Sequence, residues 1–374
     1  MTEPVCDLIV LSWNHLEETR PCLDSLFATV DVPSRLLIVD NGSEPAVRSY
    51  LAGVRAQGAI QDVVLIQNAT NEGFPRGMNH GLRAASAPFA CLLNNDLRFT
   101  AGWLREMLDV AQTEPAIGLV NPASNTFGHR PPPGTSSDAY LDAIRRRRGE
   151  HSEVGMCIGF CLLIKRAVIE RVGLLSESVD RVFFEDEDYS MRALRAGFRC
   201  VVAEGAYVYH AEHQSVQELP EREALFRRNQ RWCNEQWGRW VRIAWPQFEP
   251  PAPGSDELRR WLGELLRWAR RRTHVYVYAP VPTGYTVPTL FTSVGLRPHS
   301  DIHWRVVPRA LAPLATVTAI ISRQKKPFDL IVVPQPGWSG LVGGLRWLHR
   351  ADVVNAADEE QLTQAWTRRS RLPL

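Results

Sequence analysis

A surplus of one charge sign is missing from this 374-residue chain. Its 43 Lys and Arg against 41 Asp and Glu leave a net charge of +2, so no overall field draws it to nucleic acid. Long apolar runs are missing as well. None approaches the roughly 20 residues that cross a bilayer, although 45% of the residues are hydrophobic, an ordinary share for a globular protein. The opening Met-Thr-Glu-Pro-Val-Cys-Asp lacks the basic and apolar regions of a signal peptide. No Cys-x-x-Cys occurs among the seven cysteines. Their odd number predicts reduced, mostly buried thiols in a cytoplasmic protein. The spacing of the nearest pair, Cys157 and Cys161, argues against a metal. Finally, no Gly-x-Gly-x-x-Gly or Walker loop follows the first apolar stretch, which disfavours a dinucleotide fold or a P-loop kinase.

What is present is alternation. Short apolar runs at Leu8–Leu11, Leu36–Val39, Val63–Ile66 and Ala90–Leu93 read as strands. Between and after them, apolar residues recur at helical spacing: Leu23, Leu26, Phe27 and Val30, then Val47, Tyr50, Leu51 and Val54, then Leu104, Met107, Leu108 and Ala111. Strand–helix alternation with short loops predicts an α/β fold, a mostly parallel sheet with helices on both faces. Pro246, Pro250, Pro251, Pro253 and Gly254 read as a linker. The expected division is a domain over 1–245, a Pro-rich linker over 246–256, and a smaller α/β domain over 257–374.

Each expected strand of the first domain ends in a polar cluster: Ser12 and Asn14, Asp40 and Asn41, Asn71, and Asn94, Asn95 and Asp96. Crossovers return parallel strands in one direction, so these clusters share one sheet edge, where open α/β sheets bind ligands. A carboxylate there suits a divalent cation, and Asp96 is the candidate. Taken alone, this stretch reads first as a strand followed by an Asx turn; the rest of the chain shifts the balance.

Four segments carry a resemblance: Val-Leu-Ser-Trp-Asn, Ile-Val-Asp-Asn-Gly-Ser, Asn-Glu-Gly-Phe-x-x-Gly-Met-Asn-x-Gly and Leu-Leu-Asn-Asn-Asp. In order and spacing they resemble the family 2 glycosyltransferases, in particular the rhamnosyltransferase-like members with the Rossmann-like GT-A fold. The resemblance implies a metal-dependent hexosyltransferase using Mg2+ or Mn2+ and a nucleotide-sugar donor such as a UDP- or dTDP-sugar. It places Asp40 near the base and ribose and Asp96 as the last residue of the metal-binding Asp-x-Asp. Asn94 stands where the first Asp belongs and removes one charge. The motif residues Ser12, Asn14, Asp40, Asn71, Gly73, Asn79, Asn94 and Asn95 are thereby candidate substrate-binding residues.

Farther along, Phe127–Glu150 is rich in Pro, Gly and Arg and reads as a mobile surface loop. Gly155–Ile164 reads as an apolar strand, Val201–Val202 as the start of another, and Tyr207–His210 as a third. Between them Val182-Phe-Phe-Glu-Asp-Glu-Asp opens a helix. Acidic residues favour a helix N-terminus for dipole reasons alone. The resemblance instead assigns Asp186 as the catalytic base, with Glu185 and Asp188 beside it for the acceptor. It also directs a late His to the metal or diphosphate: His210 first, His213 second. Residues 221–245 read as a helix rich in Arg and Trp. Packing is its main expected use, and peripheral contact with the inner face of a membrane its other.

Together these readings predict an inverting glycosyltransferase that moves a sugar to a glycan or lipid-linked acceptor hydroxyl in cell-surface polysaccharide or glycoconjugate synthesis. The rival is a degenerate transferase domain that binds a sugar nucleotide or glycan, or scaffolds a partner.

Overall fold

The computed structural model describes residues 2–211, 221–308, 312–323, 325–333 and 349–371. His213, noted in the sequence, lies outside the described residues, as does the Pro336–Gly340 stretch, a candidate loop of the second domain. Contacts divide the chain into two units, Met1–Ser152 with Met156–Cys233, and Glu153–Gly155 with Asn234–Leu374.

In the first unit the expected alternation is present. β1 (Cys6–Ser12), α1 (Leu16–Thr29), β2 (Ser34–Asp40), α2 (Pro45–Ala52), β3 (Ile60–Gln67), α3 (Phe74–Ala84) and β4 (Phe89–Asn94) follow one another. Next come β5 (Leu97–Phe99), α4 (Trp103–Thr113), β6 (Ile117–Ala123), a 3-10 turn (Asn125–Phe127), α5 (Ser137–Arg145) and β7 (His151–Val154). β8 (Cys161–Lys165), α6 (Arg166–Val172), α7 (Glu185–Arg195), β9 (Arg199–His210) and α8 (Arg222–Trp237) complete the series.

The sheet order is β3-β2-β1-β4-β8-β6-β9-β5, with β7 on β9. β3, β2, β1 and β4 are mutually parallel, β8 is antiparallel to both its neighbours, and β9 is parallel to β6. Because β1 and β4 are covered on both faces, their middles are apolar: Leu8, Ile9, Val10, Cys91, Leu92 and Leu93 are all fully buried. The register sets Ser12 opposite Asp40, and Leu11 opposite Asn94. The polar residues of three strand ends thus stand side by side.

Several elements differ from the sequence reading. Gly155–Phe160 is a loop and only Cys161–Lys165 is strand. Val201 and Tyr207 belong to one 12-residue strand. The segment read as a mobile loop contains α5, whose Ser136 hydroxyl caps the helix by accepting from Ala139 N–H.

The second unit is a five-stranded, wholly parallel sheet in the order β12-β11-β10-β13-β14. Its elements are β10 (Val241–Pro246), α9 (Asp256–Ala269), β11 (Thr273–Ala279), α10 (Val287–Thr292), β12 (Ile302–Val306), α11 (Ala312–Ser322), β13 (Leu330–Val333), β14 (Asp352–Asn355) and α12 (Glu359–Ser370). The contact boundary at Cys233/Asn234 differs from the expected one at 245/246 for a definite reason. Val241–Pro246 is the middle strand of this second sheet, not the tail of a helix or part of a linker. Tryptophan and arginine density hid a strand whose residues are nearly all buried. Among the described residues no helix is long and apolar enough to cross a membrane. All seven cysteines are buried and none forms a disulfide.

Candidate active site

The loops after β1 and β2 are tied together. Asp40 Oδ1 accepts from Ser43 N–H at 2.9 Å. Ser43 Oγ in turn accepts from Asn14 N–H at 3.0 Å, and Asn14 Oδ1 accepts from Glu44 N–H at 2.9 Å. Asn14 takes a left-handed conformation at φ 55°. The other oxygen of Asp40, Oδ2, is buried with no hydrogen-bond partner among the described residues, and Arg48 Nε lies 3.5 Å away. Ser12 is buried, its hydroxyl 3.3 Å from that of Thr19, which also accepts from the Asn95 amide at 2.9 Å.

Two of the candidate asparagines hold backbone. Asn71 Oδ1 accepts from Asn41 Nδ2 and from Gly73 N–H, both at 2.9 Å. Buried Asn79 donates to Leu175 O and Glu177 Oε1 and accepts from Leu175 N–H. Gly73 has φ +83°, and a Cβ there would meet Arg181 Cα at 2.6 Å, so only glycine fits. The next residue, Phe74, donates its N–H to Arg181 O at 2.6 Å.

At the end of β4, Asp96 is 7% exposed and its Oδ1 lies 3.2 Å from His210 Nε2. Asn94 Nδ2 lies 3.5 Å from the same nitrogen. The ring is held on every side: Nδ1 is 2.9 Å from Thr126 Oγ1, and Phe160 stacks on it at 5.1 Å with planes 11° apart. The His210 backbone exchanges two hydrogen bonds with the Asn125 side chain, at 2.7 and 2.8 Å. Asn125, Thr126 and Phe160 were absent from the sequence-based set. The one available signal was their position: Asn125 and Thr126 follow a buried strand, β6, as the other polar clusters do.

At the start of α7, Asp186 Oδ2 accepts from Gly159 N–H at 3.1 Å, and Oδ1 from Glu187 N–H at 2.8 Å. Burial raises the Asp186 carboxyl above its ordinary range, against the lowering effect of those two amides. Burial, and then the Asp186 charge, holds Glu185 well above the carboxylate range. Its Oε2 is buried with no hydrogen-bond partner among the described residues. Asp188 is buried and paired with Arg192 Nε at 2.8 Å.

The turn leading into α7 is strained, with Arg181, Phe183 and Phe184 at φ 58°, 75° and 72°. Left-handed conformations in bulky residues cost on the order of 1–3 kcal/mol each and persist only where the surroundings impose them. Here α8 does so. Asn229 donates to Asp180 O and Val182 O at 2.8 Å, Arg228 pairs with Asp180, and Phe226 packs on Phe183 and Phe184 at 5.3 and 5.1 Å.

The chain matches the family model "Glycosyl transferase family 2" over residues 7–173. Residues 7–173 belong to glycosyl transferase family 2. The large sheet is mostly parallel and flanked by helices, as expected from the sequence. Among curated proteins, uncharacterized protein y4gI of Sinorhizobium fredii is 26% identical over 257 residues, 63% of this chain and 28% of that protein. The low-salt glycan biosynthesis hexosyltransferase Agl10 of Haloferax volcanii is 24% identical over 200 residues, 50% of this chain and 62% of that protein. The chain thus spans less than two thirds of either relative. Among solved structures, the mannosyltransferase PcManGT of Pyrobaculum calidifontis, in complex with GDP-Man and Mn2+, is similar at 14% identity and a TM-score of 0.43, covering 99% of this chain and 85% of that one.

Proposed function

We propose that this glycosyltransferase is inverting and moves a hexose from a UDP- or dTDP-sugar to a hydroxyl of a glycan or lipid-linked acceptor, for cell-surface polysaccharide or glycoconjugate. One observation carries the reading. Consecutive residues serve both halves of the site: Gly159 donates to Asp186, while Phe160 backs His210 beside Asp96. The acidic helix start and the β4 end are therefore neighbours, as a base and a leaving-group site must be.

The donor set fits a divalent cation. His210 Nε2 lies 3.2 Å from Asp96 Oδ1 and 3.5 Å from Asn94 Nδ2, and Nδ1 lies 2.9 Å from Thr126 Oγ1. Asp96 and His210 would be the residues that hold Mg2+ or Mn2+, the imidazole through Nε2 in the tautomer that carries its proton on Nδ1. A bound cation would neutralise charge on the departing diphosphate. The protein's own part is the rest. Asp40 Oδ2 receives a donor N–H or O–H from the nucleoside. Asp186 takes the acceptor's hydroxyl proton as the new C–O bond forms and the bond to the diphosphate oxygen breaks, and nucleoside diphosphate leaves with the electron pair. Because the leaving group is already good, one base suffices, and the elevated proton affinity of Asp186 suits that task.

Asn94, in place of a second carboxylate, favours the rival reading of a domain that binds sugar nucleotide without transferring it. Release of nucleoside diphosphate from a panel of UDP-, dTDP- and GDP-sugars, with and without acceptor glycans, separates the two. Acceptor-dependent release supports transfer. Binding of a donor without release for any acceptor supports the rival.

A further inference from the structure

The second unit carries a polar cluster that the donor site does not use. The β11–β12 register pairs Val275 with Ile302 and Tyr276 with His303, which places His274 beside Asp301. Residues two apart on a strand share a face. His274, Asp301 and His303 therefore project from the same side of the sheet. His274 Nδ1 lies 3.1 Å from Asp301 Oδ1 and 3.3 Å from His303 Nε2. Among the described residues this is the one group of three whose ligand atoms all fall within 4.8 Å of one another.

As a hydrogen-bond cluster the arrangement is poorly matched. A single proton on His274 Nδ1 must be shared between the Asp301 carboxylate and the His303 Nε2 lone pair, so it satisfies each only in part. As a coordination set it is well matched. Ligands about 2.0–2.1 Å from a tetrahedral zinc stand about 3.3 Å from one another, close to the two separations seen. The supports are rigid. Trp240 stacks on His274 at 4.9 Å with planes 22° apart, and Tyr276 packs on His303 at 4.6 Å. Asp301 N–H donates to His299 Nδ1 at 3.1 Å, with His299 fully buried beneath the turn.

We infer that His274, Asp301 and His303 form a binding site for a zinc-class divalent ion, separate from the Asp96 site, with a fourth position open to water. Two imidazoles and one carboxylate suit zinc, cobalt, nickel or ferrous iron better than the oxygen-loving Mg2+. The side chain of His274 is 30% exposed and that of Asp301 12%, which gives an ion a way in while keeping the carboxylate sheltered.

The test uses the full chain, stripped with chelator and titrated with Co2+ and Zn2+. Cobalt reports its geometry by visible absorption, and calorimetry gives zinc affinity. The wild type should take up one cobalt with the intense absorption of a tetrahedral site, and Asp96→Ala should keep it. His274→Ala and His303→Ala should each weaken zinc by at least about 100-fold, since even outer-shell changes cost 10- to 100-fold. His303→Gln, which keeps bulk, guards against misfolding, checked by circular dichroism. The inference is overturned if the wild type shows no tetrahedral cobalt at saturation, if the absorption persists in folded His274→Ala and His303→Gln, or if Asp96→Ala alone abolishes it. Loss of the signal in Asp96→Ala would move the ion to the Asp96 site, and the other outcomes leave sugar transfer untouched, so the two readings fail independently.

Discussion

Phe160 lies nearly flat on the His210 ring, with centroids 5.1 Å apart. Its backbone carbonyl accepts from Asn94 N–H at 2.9 Å. One residue earlier, the Gly159 amide meets Asp186. A two-residue stretch of loop thus sets the distance between the residue proposed to take a proton and those proposed to hold the leaving group.

Asp186→Asn keeps the shape of the side chain and removes its basicity. Turnover should fall by about 100- to 10,000-fold, with the donor dissociation constant nearly unchanged. Wild-type turnover should rise with pH through a pKa above the ordinary Asp value of about 3.9, because burial raises this carboxyl and the base acts deprotonated. A pH-independent rate, or full activity in the variant, removes Asp186 from catalysis. Asp188→Asn is expected to cost less, since Arg192 already holds that carboxylate.

Metal-dependent binding should follow Asp96. Asp96→Ala should weaken nucleoside diphosphate binding in Mg2+ or Mn2+ and leave it unchanged in chelator, with His210→Ala milder. Asn94→Asp should strengthen the metal dependence by restoring a carboxylate. Thr126→Val takes away the partner of His210 Nδ1 and should weaken metal-dependent binding by roughly 10- to 100-fold. Calorimetry with and without chelator measures all four, and equal affinities throughout would take the metal away from β4.

Glu185 offers a stability test with a definite sign. Its folded-state pKa is raised by burial, so the folded chain holds this proton more tightly than the unfolded one. The associated stability is present below the unfolded value of about 4.3 and is lost as pH rises through the raised value. Glu185→Gln is neutral at every pH. It should melt higher than wild type at pH 8, by roughly 2–4 °C for each kcal/mol relieved, and at nearly the same temperature at pH 4. An equal shift at both values would show that charge burial is not the cause.

The unit boundary is testable by truncation. A chain ending at residue 250 retains β10, whose neighbours β11 and β13 would be gone, leaving unpaired strand edges that favour aggregation. A chain ending at residue 238 keeps Asn229 and Phe226 against the 180–184 turn and omits β10. Cooperative melting and donor binding are expected of the shorter chain, and aggregation of the longer. The reverse result would put the boundary back near residue 246.

The first unit was legible because its signals are local and repeated. Four apolar strands each ended in polar residues, and the register sets three of those ends side by side. Two other matters were not legible. β6 went unread as a strand, so Ser124-Asn125-Thr126 was not seen as another strand end and the partners of His210 were missed. Gly155–Phe160 looked like strand because it is apolar, yet its use is to present one amide and one ring to two different side chains, which no periodicity encodes. β10 was hidden by composition: its first residues were read as the end of the Arg- and Trp-rich helix 221–245, while the strand is held by its neighbours on both sides.

The bond from Phe74 N–H to Arg181 O has a kinetic meaning. It joins the loop after β3, proposed to meet the donor, to the strained turn that ends at Asp186, proposed to meet the acceptor. Neither loop shifts without the other unless that 2.6 Å bond breaks. If the proposed roles hold, a nucleotide that settles the 71–74 loop would also settle the approach to Asp186, and by reciprocity an acceptor seated there would steady the donor loop. Such a linkage favours an ordered reaction, with the donor entering first and futile hydrolysis suppressed until both loops are in register.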